Sequence, residues 1–557
     1  MSNESRRFPS TRPTTPLAIG VIALLASGSS YAQLRWSFLD SAQSVVKYTE
    51  ATAKPIRSCS SLLGYGTPDV SIISVQVIPA DGEAPEHCRV FALIQPEIRV
   101  WINLPTAWNN RLYAIGEGDF GGHSSDLPIF ALWQARALRN GFTTAYNDTG
   151  HDGRFGGPPF FGSETKPMYT AVFANNNLER QVDFGFRAAH LMSVLAKRLI
   201  EVFYGKKPSY AYFDGCSTGG RQAMVEAQRF PHDYDGVVAG APPFDMTGLF
   251  IQIRQTTEAL HKININPGLL EVLGKAIYKR CDGVDGLEDG VLRDPRQCDF
   301  DPARDLPRCA GGASDACFTS EQIEGVKLLY APVVVDGKRI HPGAPLGAEP
   351  KDPDGRSGWV PEFMNVLPDG RVGPSVMELH LVQWLRYLAF EVSVPDMQWQ
   401  DFDLKRDIPK LKRTREVEDA TDPDLSPFAA AGGKLIAYHG WADIAPNALR
   451  TAEYFDEVQR TMGAHADSTA RLFMVPGMFH CSGGYNVDRL DAMTALINWR
   501  ERGVAPKQIV ATRIRDGKVV RSQPVCSYPK VAAYLGKGDP LAAENFGCVD
   551  PPASIGR

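Results

Sequence analysis

Short apolar runs that each end in a polar or glycine-rich turn recur along much of this chain. Strand-like runs cover residues 98–104, 112–115, 211–213, 236–240, 434–438 and 471–475. Between two of these runs, apolar residues at helical spacing over 177–204 predict a long amphipathic helix. Strands that alternate with helices in this way predict an α/β fold.

The alternation is interrupted once, between residues 245 and 428. This segment is rich in Pro, Asp and Gly, and it contains four of the ten cysteines. Strand-like alternation resumes after residue 429. The pattern therefore predicts an α/β core in two parts, 33–244 and 429–557, with an inserted lid domain at 245–428.

The N-terminal segment has the pattern of an export signal. Arg6, Arg7 and Arg12 precede a ten-residue apolar run at 17–26, and Ser30-Tyr31-Ala32 supplies small residues for cleavage. We therefore expect a signal peptide at 1–32 and a secreted or periplasmic protein. The rest of the chain has no apolar run long enough to span a membrane. The residues do not decide between the general and the twin-arginine export route.

Composition narrows the class of protein. Hydrophobic residues make up 43% of the chain and charged residues 22%, which is typical of a globular protein. Asp and Glu total 64 against 59 Lys and Arg, for a net charge of −5. A chain without basic excess is not expected to bind nucleic acid.

A candidate catalytic triad follows the strand pattern. The motif GCSTG at 215–219 lies between a strand and a helix, where a nucleophile elbow lifts its serine, here Ser217, out of the sheet. Asp443 follows a later strand, and His480 follows the next one, in the chain order expected of an orienting acid and a general base. The alternatives are a glycine-rich turn at Ser217, a turn-forming Asp443, and His439 as the base.

The ten cysteines, in a chain expected to be exported, predict disulfide bonds. Eight form close neighbours in sequence: Cys59 with Cys88, Cys281 with Cys298, Cys309 with Cys317, and Cys526 with Cys548. The remaining two, Cys216 and Cys481, adjoin Ser217 and His480. A bond between them would connect the nucleophile turn to the histidine loop.

Two backbone amides are candidates for an oxyanion hole. One is the amide of Thr218, which directly follows the candidate nucleophile. The other lies in the glycine-rich loop at 116–122, where Gly118 is our choice. The alternative is a flexible loop whose glycines only form turns.

These motifs resemble the tannase and feruloyl esterase family. The resemblance rests on NDTGH at 147–151, DFGFR at 183–187, GCSTGGR at 215–221, DYDGVVAGAP at 233–242, HGWAD at 439–443 and HC at 480–481. It covers nearly the whole chain after the signal segment. It implies an α/β-hydrolase core with a large lid, a disulfide between the two cysteines beside the triad, and the four local disulfides.

The segment 281–291 packs four acidic residues and three glycines into one short loop. Its chemistry suits either a calcium site, built from oxygen ligands, or a solvated acidic turn. The family resemblance implies a structural Ca²⁺ in the lid. The implied ligands are the side chains of Asp282, Asp285 and Asp289 and the carbonyls of Leu287 and Val291.

The resemblance further implies a serine carboxylesterase that hydrolyses small aromatic (phenolic) acid esters, feruloyl-esterase-like, through an acyl-enzyme. Galloyl esters and mono(2-hydroxyethyl) terephthalate are the alternative substrates, and a non-catalytic binding protein on a hydrolase fold is a remote alternative. Trp384, Phe390 and Arg386 are candidate substrate contacts. Packing within the lid is the other interpretation of all three, and the oligomeric state is left open.

Overall fold

The computed structural model describes residues 36–153, 170–312, 314–360, 362–367 and 372–551. The predicted signal peptide at 1–32 lies outside the described residues. Among the helices that are described, none is both long and apolar enough to cross a membrane.

The first part of the chain, which ends with β7, contributes strands and helices to the α/β core. In its described residues these elements are β1 (Val70–Ile78), β2 (His87–Ile94), β3 (Ile98–Pro105), β4 (Arg111–Ile115), α1 (Pro128–Arg139), β5 (Thr143–Asn147), α2 (Leu178–Val182), α3 (Ala188–Tyr204), β6 (Tyr210–Cys216), α4 (Thr218–Arg229) and β7 (Gly236–Gly240). A π-helical turn joins α2 to α3. The long helix predicted at 177–204 is therefore present.

Residues 241–433 form an insertion that is mostly helical. Its described elements are α5 (Met246–Ile263), α6 (Pro267–Cys281), α7 (Pro302–Asp305), α8 (Ser320–Tyr330), β8 (Val333–Val335), β9 (Lys338–His341), β10 (Asn365–Val366), β11 (Val372–Gly373), α9 (Val376–Tyr387), α10 (Leu404–Asp407), α11 (Lys412–Glu418) and α12 (Ser426–Ala430). Its short strands pair only with each other, β8 with β9 and β10 with β11.

The last part of the chain returns to the first unit. Its elements are β12 (Lys434–Gly440), α13 (Ala448–Met462), α14 (Ala466–Thr469), β13 (Ala470–Val475), α15 (Ala492–Arg502), β14 (Gln508–Arg515), β15 (Lys518–Cys526), β16 (Val531–Tyr534) and β17 (Phe546–Val549). The strands β14 and β15 pair with each other, as do β16 and β17.

One nine-stranded sheet combines the two outer parts, in the order β1-β2-β3-β5-β4-β6-β7-β12-β13. The strands from β5 to β13 in this order run parallel, whereas β1, β2, β3 and β5 pair antiparallel. Helices cover both faces: α3, α4 and α13 pack on one apolar face, and α1 and α15 on the other. A large apolar cluster lies mainly in the insertion and also includes residues of both outer parts, among them Phe120, Phe184 and Tyr485. The α/β class expected from the sequence is confirmed.

The parallel strands explain why sequence patterns located the core well. Every residue of β7 is buried, and only the first residue of β6 and of β12 is not. Strands that are covered on both faces must be apolar almost throughout, which produces the short continuous runs seen in the sequence.

All five predicted disulfides are present. They join Cys59 to Cys88, Cys216 to Cys481, Cys281 to Cys298, Cys309 to Cys317, and Cys526 to Cys548. Four of them close loops of 8 to 29 residues, whereas Cys216–Cys481 spans 265 residues and connects the two halves of the core across the insertion.

We expect the long-range disulfide to contribute more to stability than a local one. In the chain-entropy model, a crosslink across 265 residues stabilises by about 2 kcal/mol more than one across 22 residues. Urea unfolding of the C216A/C481A double variant should therefore show a larger loss of unfolding free energy than the C526A/C548A variant. Equal losses in the two variants would contradict this expectation.

Candidate functional site

Ser217 occupies a sharp turn between β6 and α4. Its backbone has φ 62° and ψ −130°, a conformation that residues other than glycine rarely adopt. The Ser217 amide donates a hydrogen bond to the carbonyl of Gly240 on β7, at 3.0 Å. A side chain at Gly215 would place its Cβ 2.1 Å from the backbone of Gly219. The turn therefore depends on glycine at position 215, as the elbow motif predicts.

The structure brings the candidate acid and base together at the same edge of the sheet. Asp443 follows β12, and His480 lies in the loop after β13, which is the parallel neighbour of β12. Nδ1 of His480 lies 2.8 Å from Oδ2 of Asp443. Asp443 is 3% exposed, so this hydrogen bond is shielded from solvent on the carboxylate side.

The disulfide between Cys216 and Cys481 connects the serine turn to the histidine loop. Its two Cα atoms lie 6.1 Å apart. Ser217 and His480 are the direct chain neighbours of these cysteines, so both candidate residues are tied to one covalent link. The structure thus brings the serine turn and the histidine loop together through this disulfide, and the catalytic roles of Ser217, Asp443 and His480 stay predictions.

Charged neighbours make His480 a stronger base. Burial alone would lower the pKa of its imidazole, but Asp443, with contributions from Glu362 and Asp119, raises this pKa above its ordinary value. For Asp443, burial alone would raise the pKa of the carboxyl, but His480 and His439 hold it below its ordinary value. The pair is arranged to take up a proton on His480 while Asp443 stays ionised.

The two predicted oxyanion donors differ in their surroundings. Thr218 begins α4, where the first amides of a helix have no partner within the helix. The amide of Gly118 donates to Oε2 of Glu117 at 3.1 Å, and this carboxylate also binds Nδ1 of His123 at 2.6 Å. The Thr218 hydroxyl donates to the carbonyl of Asp119, which fixes the glycine-rich loop against α4. The roles of Gly118 and Thr218 stay predictions.

Three further ionisable residues, which interact with one another and of which two act on His480, were not singled out in the sequence. Nε2 of His380, on α9, lies 3.4 Å from Oδ1 of Asp119. Glu362 interacts electrostatically with His480, Asp119 and His380, and burial raises the pKa of its carboxyl. Asp119 directly follows the predicted Gly118, so the glycine-rich loop at 116–122 is the sequence signal that could have identified it. Glu362 and His380 lie in the insertion, where no motif marks them.

The three predicted substrate contacts make packing interactions in the structure. Trp384 is fully buried, stacks on Phe250 at 4.7 Å between ring centres, and donates its indole N–H to Glu418 at 3.0 Å. Nε of Arg386 donates to the carbonyl of Met397 at 2.8 Å. The ring centre of Phe390 lies 6.3 Å from that of Phe402. Their contact with a substrate stays a prediction.

The acidic loop 281–291 lies between α6 and α7. Its first acidic residue, Asp282, accepts hydrogen bonds from the amides of Gly290 and Val291. Asp285 and Asp289 both pair with Arg293, at 2.7 and 3.0 Å, and Asp289 also pairs with Arg521. Oδ1 of Asp289 is buried and has no hydrogen-bond partner in the structure. The three predicted aspartates therefore lie in one network that includes two arginines.

Within the described residues, no group of three or more His, Cys, Asp or Glu side chains is arranged to hold a metal ion. The carbonyl ligands predicted at Leu287 and Val291 belong to the same loop. The amide of Leu287 donates to Oδ1 of Asp285 at 2.9 Å, so one of the predicted carboxylate ligands is hydrogen-bonded within the loop itself. The calcium site stays a prediction, with one unpartnered carboxylate oxygen as the structural feature in its favour.

Comparisons with known proteins agree with this arrangement. A mono(2-hydroxyethyl) terephthalate hydrolase of Piscinibacter sakaiensis is 32% identical over 526 residues, which cover 84% of this chain and 85% of the relative. A probable feruloyl esterase B-1 of Aspergillus flavus is 28% identical over 492 residues, covering 83% of this chain and 86% of the relative.

Among solved structures, feruloyl esterase B from Aspergillus oryzae superposes with a TM-score of 0.72 at 24% identity, covering 88% of this chain and 99% of that one. This similarity confirms the α/β-hydrolase fold. The family model described as tannase and feruloyl esterase matches residues 83–549. The chain is therefore a member of the tannase and feruloyl esterase family, a family of carboxylic ester hydrolases.

Proposed function

We propose that this family member is an exported serine carboxylesterase that hydrolyses aromatic, phenolic acid esters. One observation carries the proposal: Ser217 sits in a strained elbow that is linked by a disulfide to the loop of His480, and Nδ1 of His480 lies 2.8 Å from Asp443. This combination supplies a nucleophile, a base and an orienting acid in one place.

The proposed reaction proceeds through an acyl-enzyme. Nε2 of His480 takes the proton of the Ser217 hydroxyl while the serine oxygen attacks the ester carbonyl. The backbone amide of Thr218 binds the resulting oxyanion, and the amide of Gly118 joins it by exchanging its hydrogen bond to Glu117 for one to the oxyanion. The imidazolium returns the proton to the leaving alcohol as the C–O bond breaks. Water then attacks the acyl-serine, with His480 again as base, and the acid product and free Ser217 result.

The charges around the site favour a neutral phenolic acyl group. Asp119 and Glu362 both interact with His480, so a substrate with a second carboxylate would meet like charges there. Arg386, the predicted partner for such a carboxylate, is bound to the carbonyl of Met397. Ferulate-like esters are therefore the proposed substrates, with galloyl esters as the alternative. Mono(2-hydroxyethyl) terephthalate is a second alternative substrate, because the relative from Piscinibacter is named as its hydrolase.

Export is part of the proposal. The five disulfides support it, because such bonds form and persist in oxidising compartments. The remote alternative, a binding protein without activity, is disfavoured by the hydrogen bond between Asp443 and His480. A site that only binds has no need for a buried carboxylate that orients an imidazole.

The first test is hydrolysis of methyl ferulate, methyl gallate and mono(2-hydroxyethyl) terephthalate by the purified protein. We expect turnover of methyl ferulate with the highest kcat/KM, and a loss of at least about 1,000-fold in kcat in S217A because the nucleophile is gone. D443N should lose a similar amount, since it favours the wrong tautomer of His480.

The matched control is S468A, because Ser468 is an exposed serine of α14 whose hydroxyl donates to the nearby carbonyl of His465. Its activity should equal that of the wild type. Wild-type turnover that persists in S217A would exclude the serine mechanism. A preference for the terephthalate ester would contradict the phenolic substrate class and leave the serine mechanism standing.

The second prediction concerns pH. His480 must be neutral to act as a base, so kcat/KM should rise as the pH passes through the pKa of His480. Asp443, Glu362 and Asp119 all raise this pKa. Removing the charge in E362Q should therefore lower the pKa of His480 and move the acidic limb to lower pH.

A pH–rate profile of kcat/KM measures this shift. E324Q is the control, because Glu324 is an exposed residue of α8 that pairs only with Lys327 among the ion pairs of the structure. An acidic limb that stays in place in E362Q, or that moves equally in E324Q, would show that Glu362 does not act on His480.

We further propose that the loop 281–291 binds a structural Ca²⁺. Asp282, Asp285 and Asp289 would supply side-chain oxygens, and Leu287 and Val291 would supply carbonyls. The unpartnered Oδ1 of Asp289 supports this. Burial raises the pKa of Asp282 and of Asp285, so a nearby cation would favour their ionised forms. The ion would stiffen the insertion and take no part in ester hydrolysis.

Calcium should raise the melting temperature of chelator-treated protein. At a concentration 100 times its Kd, a ligand that binds only the folded state stabilises by about 2.7 kcal/mol. D289N should lose most of this increase, whereas D516N, at the exposed turn between β14 and β15, should retain it. A melting temperature of the wild type that calcium leaves unchanged would refute the site.

A further inference from the structure

We propose that His439 is a positioning residue that holds Asp443 in place for the reaction of His480. The inference rests on the proposed function, because it assigns a role within the same triad. His439 lies near the end of β12, four residues before Asp443, and it is completely buried. The triad of Ser217, Asp443 and His480 alone does not account for a buried imidazole at this place.

Both ring nitrogens of His439 are engaged. Nε2 lies 3.1 Å from Oδ2 of Asp443 and 3.2 Å from the carbonyl oxygen of Pro446. Nδ1 lies 2.9 Å from the hydroxyl of Thr451, on α13. The ring thus connects the carboxylate to the loop after β12 and to the first turn of the next helix.

These contacts fix the position of the ring proton. A carboxylate and a carbonyl can only accept hydrogen bonds, so Nε2 must carry the hydrogen that it shares with Asp443 and Pro446. In the neutral ring Nδ1 then has no hydrogen and accepts from the Thr451 hydroxyl. Asp443 and Pro446 therefore select the tautomer in which His439 donates to Asp443, and the Thr451 hydroxyl supports this tautomer by donating to Nδ1.

As a result, two imidazole N–H groups converge on one carboxylate oxygen. Oδ2 of Asp443 accepts from Nδ1 of His480 at 2.8 Å and from Nε2 of His439 at 3.1 Å. The second donor restricts rotation of the carboxylate and compensates for the loss of water around a group that is 3% exposed. It also makes Oδ2 less able to take the proton of His480, which keeps that proton on the imidazolium.

The same contacts exclude His439 as the general base. Nε2 already donates, and Nδ1 faces Thr451, so neither nitrogen is available to the Ser217 proton. His480, in contrast, has a side chain that is 20% exposed and directed to the disulfide that borders Ser217. His439 therefore acts only through Asp443.

Two amide substitutions at position 439 separate loss of the hydrogen bond to Asp443 from loss of the imidazole ring itself. The amide nitrogen of glutamine in H439Q reaches about as far from the backbone as Nε2 and can still donate to Asp443. The amide of H439N is one bond shorter and cannot. We expect kcat to fall by about 10- to 100-fold in H439N, since one charge-assisted hydrogen bond is lost, and by no more than about threefold in H439Q, with KM unchanged in both.

A third variant tests the tautomer. T451V keeps the shape of the side chain but removes the hydroxyl at Nδ1, so kcat should fall by about three- to tenfold. T469V is the matched control, because Thr469 is also buried but bonds to the carbonyl of His465. Its kcat should equal that of the wild type.

Two readouts distinguish positioning from general damage. The number of serines that a fluorophosphonate labels to completion measures the folded fraction and should match the wild type in all these variants. The low-field proton NMR signal of the bond between His480 and Asp443 should persist in H439Q and shift or vanish in H439N. A merely structural role would lower the labelled fraction and leave the kcat per labelled site unchanged.

Three results would overturn the inference: a wild-type kcat per labelled site in H439N, equal losses in H439Q and H439N, or an equal effect of T451V and T469V. If H439N does not fold, the kcat per labelled site is compared between H439Q and T451V. The inference then requires the larger loss in T451V. Failure of the proposed function itself would appear differently, as hydrolysis that persists in S217A.

Discussion

The close approach of two backbone segments at the serine turn is the constraint on which the site depends. A Cβ atom at Gly220 would lie 2.2 Å from the carbonyl oxygen of Gly240, and one at Gly215 would meet Gly219. Without side chains at these positions, α4 can begin directly above the end of β6 and beside β7. The strain of a positive φ at Ser217 is then offset by packing that leaves the turn no room to relax.

The insertion completes this site from above. Phe120, in the glycine-rich loop, stacks on Phe250 of α5, and His380 of α9 lies near Asp119 of the same loop. Near the acid, the guanidinium of Arg296 lies 4.9 Å from the ring centre of Trp441. The insertion therefore contacts the loop of Gly118, one of the two candidate oxyanion donors, and the loop of the candidate acid. Residues of the insertion can tune the catalytic groups even though they are distant in sequence.

Much of the core could be predicted from the sequence, because the parallel strands are buried on both faces. The run at 236–240 matches β7, and the run at 434–438 lies within β12. The triad candidates followed from motifs and four disulfides from local spacing, whereas Cys216–Cys481 followed from the position of the two remaining cysteines beside Ser217 and His480. The strands β1 and β2 were missed. β1 is an edge strand whose exposed positions dilute its apolar pattern, and its neighbour β2 begins with the polar residues His87 and Arg89. Glu362 and His380 could not be found, since the proximity of Glu362 to His480 and of His380 to Asp119 arises only when the insertion folds back onto the sheet.

The covalent link between the serine turn and the histidine loop has a consequence for when the protein can become active. Cys216 and Cys481 are 265 residues apart, and each borders a residue of the proposed triad. In a reducing compartment the two turns would be joined by non-covalent packing alone, and the chain would still have to bring them together across the whole insertion. If the proposed function holds, formation of this disulfide would therefore tie the onset of hydrolysis to arrival in an oxidising compartment.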